Sequence, residues 1–224
     1  MSSHTHSHTR RRRAPALSVL TLALLGVMSM PAWAVDPPCL DANGVPIAPA
    51  PSTNQGNEGG QDNATCNSAA SAYGEGNNAS GEASNAFGLR NLAMGLESSA
   101  FGADNAASGD GSNALGRQNS ASGRNSNAFG VINFASGNQS NAFGFSNGAT
   151  ATNSNAFGGF NSASAQDATA FGLNNRGTGT SSSAFGNGNT ASAVGSSAFG
   201  GFNTASNIAS MAFGRLNLAS GRSS

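Results

Sequence analysis

The sequence predicts an all-β fold, a parallel β-roll or solenoid of stacked fourteen-residue coils. A fourteen-residue unit recurs from residue 70 to residue 224 without insertion or deletion, and a fixed short period is typical of stacked repeat architectures. Gly, Ser and Asn dominate the unit, and all three are poor helix formers. The unit contains no proline, so every backbone N–H is free to join a ladder.

Residues 1–34 have the pattern of a secretory signal peptide. A basic stretch, Arg10 to Arg13, precedes an apolar run from Ala14 to Met30, and Ala32-Trp33-Ala34 fits a cleavage site. The apolar run is short for a membrane span. We therefore expect an exported protein, extracellular or associated with the bacterial outer membrane, and no membrane insertion by this chain.

Residues 35–69 form a separate Pro/Gly/Asn-rich segment, which we expect to be an extended and poorly ordered leader. Cys39 and Cys66 are the only cysteines of the chain, and in an exported protein two cysteines most simply pair with each other. A bridge between subunits is the alternative. Two thiols without histidine lack the ligands for a metal site, so no metal is expected.

Each repeat contains one large apolar residue, preceded by Ala and followed by Gly. We call these eleven residues the Phe row: Tyr73, Phe87, Phe101, Leu115, Phe129, Phe143, Phe157, Phe171, Phe185, Phe199 and Phe213. Fourteen residues suit two strands of about five residues and two tight turns.

Alternation along these strands assigns residues to the two faces of each strand. Ser126 and Ala128 share one face with Gly, and Phe129 lies on the other. In the second strand Asn133 and Ala135 share a face. Because a fourteen-residue coil encloses little space, we expect the small residues inside and the Phe row outside.

An asparagine follows each member of the Phe row by four residues. We expect its side chain to cap a turn and to stack on identical asparagines of the adjacent coils. The eleven residues of this predicted turn ladder are Asn77, Asn91, Asn105, Asn119, Asn133, Asn147, Asn161, Asn175, Asn189, Asn203 and Asn217.

The Phe row also predicts self-association. A monomer seldom exposes so long a continuous apolar stripe. Burying one Phe contributes only about 1.5 to 3 kcal/mol, which is much less than the backbone entropy lost when fourteen residues are ordered. A coil therefore cannot order itself without its neighbours. The row is therefore predicted to be a subunit interface of an obligate oligomer.

The unit resembles the head repeat of YadA-like trimeric autotransporter adhesins, which reads approximately Ser-Val-Ala-Ile-Gly-x-x-Ser/Ala-x-Ala-x-Gly-x-x. Ser-Asn-Ala-Phe-Gly at 126–130, with Ala135 and Gly137, matches it in spacing and type. The resemblance covers about two thirds of the chain and implies a left-handed parallel β-roll, three of which associate side by side as a homotrimer. This chain has Asn or Ser and Phe where the family usually has Val and Ile, so the subunit contact must be packed differently.

The resemblance implies an adhesin head that attaches bacteria to host matrix, to cells or to one another, as virulence factors do. It extends to the head alone, because neither a heptad stalk nor a membrane anchor is recognisable, and how such a head is displayed stays open. The ligand-binding residues stay unknown. The alternative is a curlin-like extracellular amyloid or biofilm structural protein, since Gly-x-x-Asn-x-Ala is close to curlin repeats. A regular hydroxyl row also allows an ice-binding surface, although threonine would be expected to dominate it.

Composition argues against the remaining function classes. The three histidines and Arg10 to Arg13 lie in the predicted signal peptide, and the rest has no lysine. The remaining six arginines against ten acids give a net charge of −4 without a basic stripe, so nucleic acid is not expected as a partner. With no histidine and no serine beside a recognisable base, neither catalysis nor a cofactor is predicted.

Overall fold

The computed structural model describes residues 37–48 and 53–221 of the chain. The predicted signal peptide at 1–34 lies outside these described residues. Between Asn57 and Ala219 the chain folds as an all-β parallel solenoid of twelve coils, each contributing one strand to each of two twelve-stranded sheets. Within the described residues there is no helix.

The first sheet is made of five-residue strands, one per coil. They are β1 (Asn57–Gln61), β3 (Ser71–Glu75), β5 (Asn85–Leu89), β7 (Ser99–Ala103), β9 (Asn113–Arg117), β11 (Asn127–Val131), β13 (Asn141–Phe145), β15 (Asn155–Gly159), β17 (Thr169–Leu173), β19 (Ser183–Asn187), β21 (Ser197–Gly201) and β23 (Met211–Arg215).

The second sheet is made of two-residue strands. They are β2 (Ala64–Thr65), β4 (Asn78–Ala79), β6 (Leu92–Ala93), β8 (Ala106–Ala107), β10 (Ser120–Ala121), β12 (Phe134–Ala135), β14 (Gly148–Ala149), β16 (Ser162–Ala163), β18 (Arg176–Gly177), β20 (Thr190–Ala191), β22 (Thr204–Ala205) and β24 (Leu218–Ala219). The prediction of about five residues for this strand was wrong. The chain bends at Ile132 and again at Gly137, so only the two residues Phe134 and Ala135 pair as a strand between them.

Strands of neighbouring coils pair in parallel and in register. Ala128 of β11 lies opposite Ala142 of β13, and Phe129 lies opposite Phe143. Each strand residue therefore lies opposite its equivalent fourteen positions away, which confirms the solenoid predicted from the period.

Left-handed backbone conformations form the two turns of each coil. Counted from the first residue of the long strand, the sixth residue of the coil lies in the turn after that strand and has positive φ, as in Arg90 (52°) and Ile132 (59°). The thirteenth residue lies in the turn after the short strand and also has positive φ, as in Asn125 (54°) and Gln139 (58°). A β-branched residue such as Ile132 rarely adopts this conformation. The hydrogen bonds from each turn to the coils above and below must therefore stabilise this conformation.

The core of the solenoid is narrow and consists mainly of alanine methyl groups. Ala128 of the long strand and Ala135 of the short strand are fully buried, as are their equivalents in most coils. A buried serine such as Ser126 recurs beside them, and the largest fully buried side chains that recur in nearly every coil are the asparagines of the turn ladder. This confirms the predicted faces, with small residues inside and the Phe row outside.

One glycine per coil is required by the close approach of successive coils. Gly130 has a φ of 118°, and a Cβ built on it would lie 2.1 Å from the carbonyl oxygen of Gly144. Only glycine is compatible with both the conformation and this spacing. The glycine that follows each member of the Phe row is therefore a structural requirement.

The solenoid begins one coil before residue 70, inside the segment predicted as a leader. β1 pairs with β3, so that Gly60 lies opposite Gly74. The repeat pattern did not include this coil because Glu58 and Gly59 stand where later coils have Ala and a large apolar residue. The Glu58 carboxylate accepts a hydrogen bond from Thr65 Oγ1 at 2.6 Å, which satisfies a polar group that replaces an alanine of the core.

Residues 37–48 form a short segment held against the first two coils. The structure contains an intrachain disulfide between Cys39 and Cys66. Leu40 N–H donates to Ser80 Oγ at 2.8 Å, and Asn78 Nδ2 donates to the Pro38 carbonyl at 2.8 Å. We call residues 37–48 the N-terminal strap.

Candidate functional site

The turn ladder runs through the coils as a continuous chain of side-chain amides. Asn133 Nδ2 lies 3.0 Å from Asn119 Oδ1, 3.0 Å from the Phe129 carbonyl and 2.7 Å from the Gly144 carbonyl. The Asn133 backbone N–H also donates to Asn119 Oδ1, at 2.9 Å. Each amide therefore satisfies groups of its own coil and of the coils on both sides.

All eleven asparagines predicted for the ladder take this position, and the structure adds Asn63. The Asn77 backbone N–H donates to Asn63 Oδ1 at 3.0 Å. The sequence did carry the signal for this member, since Asn63 and Gly60 stand fourteen residues before Asn77 and Gly74.

The Phe row lies on the outer face of the five-residue sheet. Most of its members are partly covered, whereas Tyr73, Phe171 and Phe213 are 41%, 52% and 59% exposed. The cover comes mainly from stacking, because the rings of successive coils are held one above another by the ladder spacing.

Most aromatic pairs along the row stack, but Phe129 and Phe143 meet edge to face with planes 84° apart, and Phe157 and Phe171 are tilted by 42°. Phe143 and Phe157 stack with ring centroids 5.0 Å apart and planes 5° apart, and Phe199 and Phe213 repeat this geometry. Leu115 interrupts the stack. Offset and stacked aromatic pairs stabilise beyond their burial, by about 0.5 to 1.5 kcal/mol each. The outward face of the row is thus a continuous apolar strip.

The two edges of the solenoid differ in chemistry. Exposed apolar side chains are common at one edge: at the last residue of the long strands, in the turn that follows, and at the residue after the ladder asparagine. We call this set the apolar corner: Ile132, Phe134, Phe145, Phe160, Leu173, Phe202, Leu216 and Leu218. The turn after the short strands is polar in its central coils. We call its exposed residues the polar corner: Asp110, Arg124, Asn125, Asn138, Gln139, Thr152, Asn153, Gln166, Asp167, Thr180 and Ser181.

One ion pair connects neighbouring coils on the surface. Arg90 Nε lies 2.7 Å from Asp104 Oδ1, and Arg90 Nη2 lies 3.1 Å from Asp104 Oδ2. The hydrogen bond from Arg90 lowers the pKa of Asp104 below its usual value, against an opposing effect of desolvation, and raises the pKa of Arg90. Both groups are solvent-accessible, so the pair links two coils without forming a reactive site.

Potential metal ligands do not cluster in the described residues, and buried serines recur from coil to coil. Within that part of the chain, no three His, Cys, Asp or Glu side chains are close enough to hold a metal ion. Buried serines such as Ser126 and Ser140 have hydroxyl groups without a hydrogen-bond partner, and no base lies beside them. At the same position, Ser84 and Ser154 donate to the carbonyl three residues earlier at 2.7 Å. These serines are core residues.

No protein-family model matches the chain, and no curated protein has a significant match to its sequence. A search for membrane-spanning helices among the described residues finds none of sufficient length and hydrophobicity. The surfaces of the solenoid are therefore the features that bear on its function.

Proposed function

We propose that the chain is the adhesive head of an exported, YadA-like trimeric surface protein, and that it acts without catalysis. The observation that carries the proposal is the Phe row, a continuous apolar strip along a rigid solenoid. In the same assembly, the polar surface would face outward and contact host matrix, host cells or other bacteria.

The Phe row and the apolar corner adjoin each other, which suits packing of solenoids side by side. Phe143 and Phe157 lie on the sheet face, and Phe145 and Phe160 lie at its edge with ring centroids 5.0 Å apart. A closed ring of identical subunits requires each subunit to offer two different surfaces. These two apolar surfaces meet that requirement, and the number three follows from the resemblance of the repeat to YadA-like heads.

Rigidity supports the proposed role in display. The amide ladder and the alanine core fix the distance between successive coils. Surface side chains are therefore presented at a constant spacing of about 4.7 Å along the axis. Such an array can make many weak contacts with an extended ligand at once, and linked sites of this kind gain affinity through effective concentration.

The interface is tested by placing charge on the Phe row. We expect Phe143→Asp combined with Phe157→Asp to convert the oligomer to single chains at micromolar concentration, because two aromatic contacts per subunit are replaced by buried carboxylates. Light scattering of the secreted full chain measures this. The matched control is Val194→Asp combined with Ile208→Asp, which adds the same charges to adjacent coils at side chains 54% and 47% exposed. Equal masses for the two variants would contradict the proposed interface.

Adhesion is tested separately with the secreted full chain. We expect it to bind at least one component of a panel of collagen, fibronectin, laminin and cultured cells, and expect the Phe143→Asp, Phe157→Asp variant to lose most of that binding through lost avidity. Absence of binding to the whole panel by a correctly assembled protein would count against an adhesive role.

A second candidate is a curlin-like extracellular amyloid. It is favoured by one observation, the parallel in-register stacking of identical residues with an asparagine ladder, which is also the arrangement of cross-β fibrils. Fibres that bind thioflavin and grow with protein concentration would support it. A defined soluble oligomer that forms no fibres would exclude it.

A further inference from the structure

The polar corner contains a cleft that the proposed oligomer does not use. Its volume is about 400 Å³, and it is lined by Arg124, Asn125, Asn138, Gln139 and Thr152. These residues belong to three successive coils and all five are exposed. We call this feature the polar cleft.

The side chains of the polar cleft retain free hydrogen-bonding groups. Asn138 Oδ1 accepts from the Arg124 backbone N–H at 3.1 Å, so its Nδ2 group remains available. Within the described part of the chain, the side chains of Asn125, Gln139 and Thr152 make no hydrogen bonds, and Arg124 has no ion-pair partner. The cleft thus offers amide and hydroxyl groups that both donate and accept, beside one unpaired cation.

We infer that the polar cleft binds an acidic oligosaccharide, with Arg124 holding a sugar carboxylate and the amides holding sugar hydroxyls. Guanidinium groups bind carboxylates in a two-point geometry. Sugar hydroxyls donate and accept, as the amides of Asn125 and Gln139 do. No apolar side chain lines the cleft, which argues against a peptide that would need pockets for its side chains.

The neighbouring coils indicate a linear ligand that follows the axis. Beyond the cleft, the polar corner continues through Asn153, Gln166, Thr180 and Ser181, which are also exposed. Asp110 stands one coil before Arg124, on the side away from this path, and its Oδ1 accepts a hydrogen bond from the Leu96 N–H at 3.1 Å. Asp167 lies three coils beyond Arg124 and accepts a hydrogen bond from Asn153 Nδ2 at 2.9 Å. A polysaccharide could therefore extend along the polar corner with one acidic unit at Arg124.

This inference deepens the proposed adhesive function and rests on it for its setting. It is tested with the secreted full chain by calorimetry, using a hyaluronan decasaccharide as the carboxylate-bearing probe. Chitohexaose serves as the neutral sugar, and poly-glutamate serves as the acidic peptide. We expect binding of the hyaluronan probe alone, and we expect it to weaken at high salt because one ion pair contributes.

Variants of the cleft locate the site. Arg124→Gln should weaken hyaluronan binding at least tenfold, whereas Arg176→Gln removes an equally exposed charge from the short-strand face and should leave binding unchanged. Asn125→Ala combined with Gln139→Ala should also weaken it. Alanine is compatible with the fold at these positions, since Ala83 and Ala209 occupy them in other coils with positive φ.

The outcomes separate this inference from the proposed function. Equal binding of chitohexaose, preference for poly-glutamate, or equal losses in Arg124→Gln and Arg176→Gln would overturn the assignment of the cleft. If the protein assembles and adheres to the matrix panel but does not bind hyaluronan, the ligand is wrong and the adhesive function stands. Failure to adhere to any surface would instead remove the proposed function.

Discussion

At the residue scale, the asparagine of each coil is the side chain that the fold can least replace. Its Oδ1 atom accepts two hydrogen bonds from the next coil, and its Nδ2 group donates to carbonyl groups of its own and adjacent coils, as Asn119 and Asn133 show. Only a primary amide supplies an acceptor and two donor hydrogens in this geometry. An isosteric carboxylate would supply acceptors alone.

Asn133→Asp should therefore destabilise the solenoid strongly. A buried carboxylate would face the carbonyl oxygens of Phe129 and Gly144, and an uncompensated buried charge costs about 3 to 5 kcal/mol. Denaturant unfolding measures the loss. Burial should raise the pKa of the new carboxyl group in the folded state, so the penalty should be largest at neutral pH. It should diminish as the pH falls towards the ordinary pKa of aspartate, near 3.9.

The matched control for this variant is Asn125→Asp. Asn125 is exposed, makes no side-chain hydrogen bond within the described residues, and has positive φ. Asp167 occupies the same position three coils later with a φ of 56°. A change of stability within about 0.5 kcal/mol is expected for this surface site. Similar losses for the two variants would show that the ladder does not carry the predicted stability.

A second residue-scale prediction concerns the glycine after each member of the Phe row. Gly130→Ala should destabilise by several kcal/mol or prevent folding, because its Cβ would lie 2.1 Å from the Gly144 oxygen at a φ of 118°. Gly148→Ala is the control. A Cβ at Gly148 would meet nothing within 4 Å, and Ala106 occupies that position in another coil. Circular dichroism melting of both variants shows whether stability is lost because of the close contact between coils at Gly130 or because any glycine is replaced.

Much of the fold could be predicted from the sequence, because the fourteen-residue period places equivalent residues side by side in adjacent coils. The faces of Ala128 and Phe129 and the position of Asn133 follow from alternation and spacing alone. The length of the short strand did not follow, since turn bounds depend on which residues adopt positive φ, and residues as different as Ile132 and Gln139 do so. The polar cleft could not be predicted either, because its residues stand at variable positions of the repeat.

At the element scale, the first coil shows how substitutions can hide a repeat. Glu58 and Thr65 replace the two core alanines and bond to each other, so the coil keeps its shape with a different chemistry. Thr65 also bonds the chain that precedes β1, since its N–H donates to the Thr53 carbonyl at 2.8 Å. The chain before β1 therefore lies along the edge of β2, where a parallel bridge joins Asn54 to Thr65, and it covers a strand edge that would otherwise invite association.

The disulfide should stabilise this end of the solenoid locally. Cys39 and Cys66 are separated by 27 residues, and closing a loop of that size contributes about 3 to 4 kcal/mol in the chain-entropy model. We expect Cys39→Ser combined with Cys66→Ser to reduce hydrogen-exchange protection in β2 and β4. Protection in β11 to β16 should be unchanged, because each coil contacts only its neighbours. Uniform loss along the solenoid would contradict this local role.

The ion pair between coils gives a pH-dependent prediction. The pKa of Asp104 is lowered by the hydrogen bond from Arg90, so the stabilisation from this pair is present above the ordinary pKa of aspartate. It is lost as the pH falls through the lowered value. Arg90→Gln should raise the pKa of Asp104 towards its usual value, which carbon NMR of the carboxyl group measures. Asp41, whose pKa is lowered chiefly by its hydrogen bond with the Val45 backbone, provides the comparison and should not respond. An unchanged pKa of Asp104 would show that the pair does not persist in solution.

At the scale of the whole molecule, the residues that hold the coils together are distinct from the residues that vary on the surface. The inside of the solenoid is nearly constant from coil to coil, with alanine, asparagine and glycine fixing the spacing. Sequence variation is placed on the outer surface, where the apolar corner and the polar corner differ in chemistry. This arrangement suits a protein whose assembly and binding use different faces, which is the basis of the proposed adhesive head.

The central claim is that three chains associate through the Phe row. It is tested most directly by the molar mass of the secreted, unmodified chain, measured by light scattering over a range of concentrations from low to high micromolar. We expect a constant mass of three chains throughout this range. A mass of one chain at all concentrations, with the solenoid folded by circular dichroism, would contradict it.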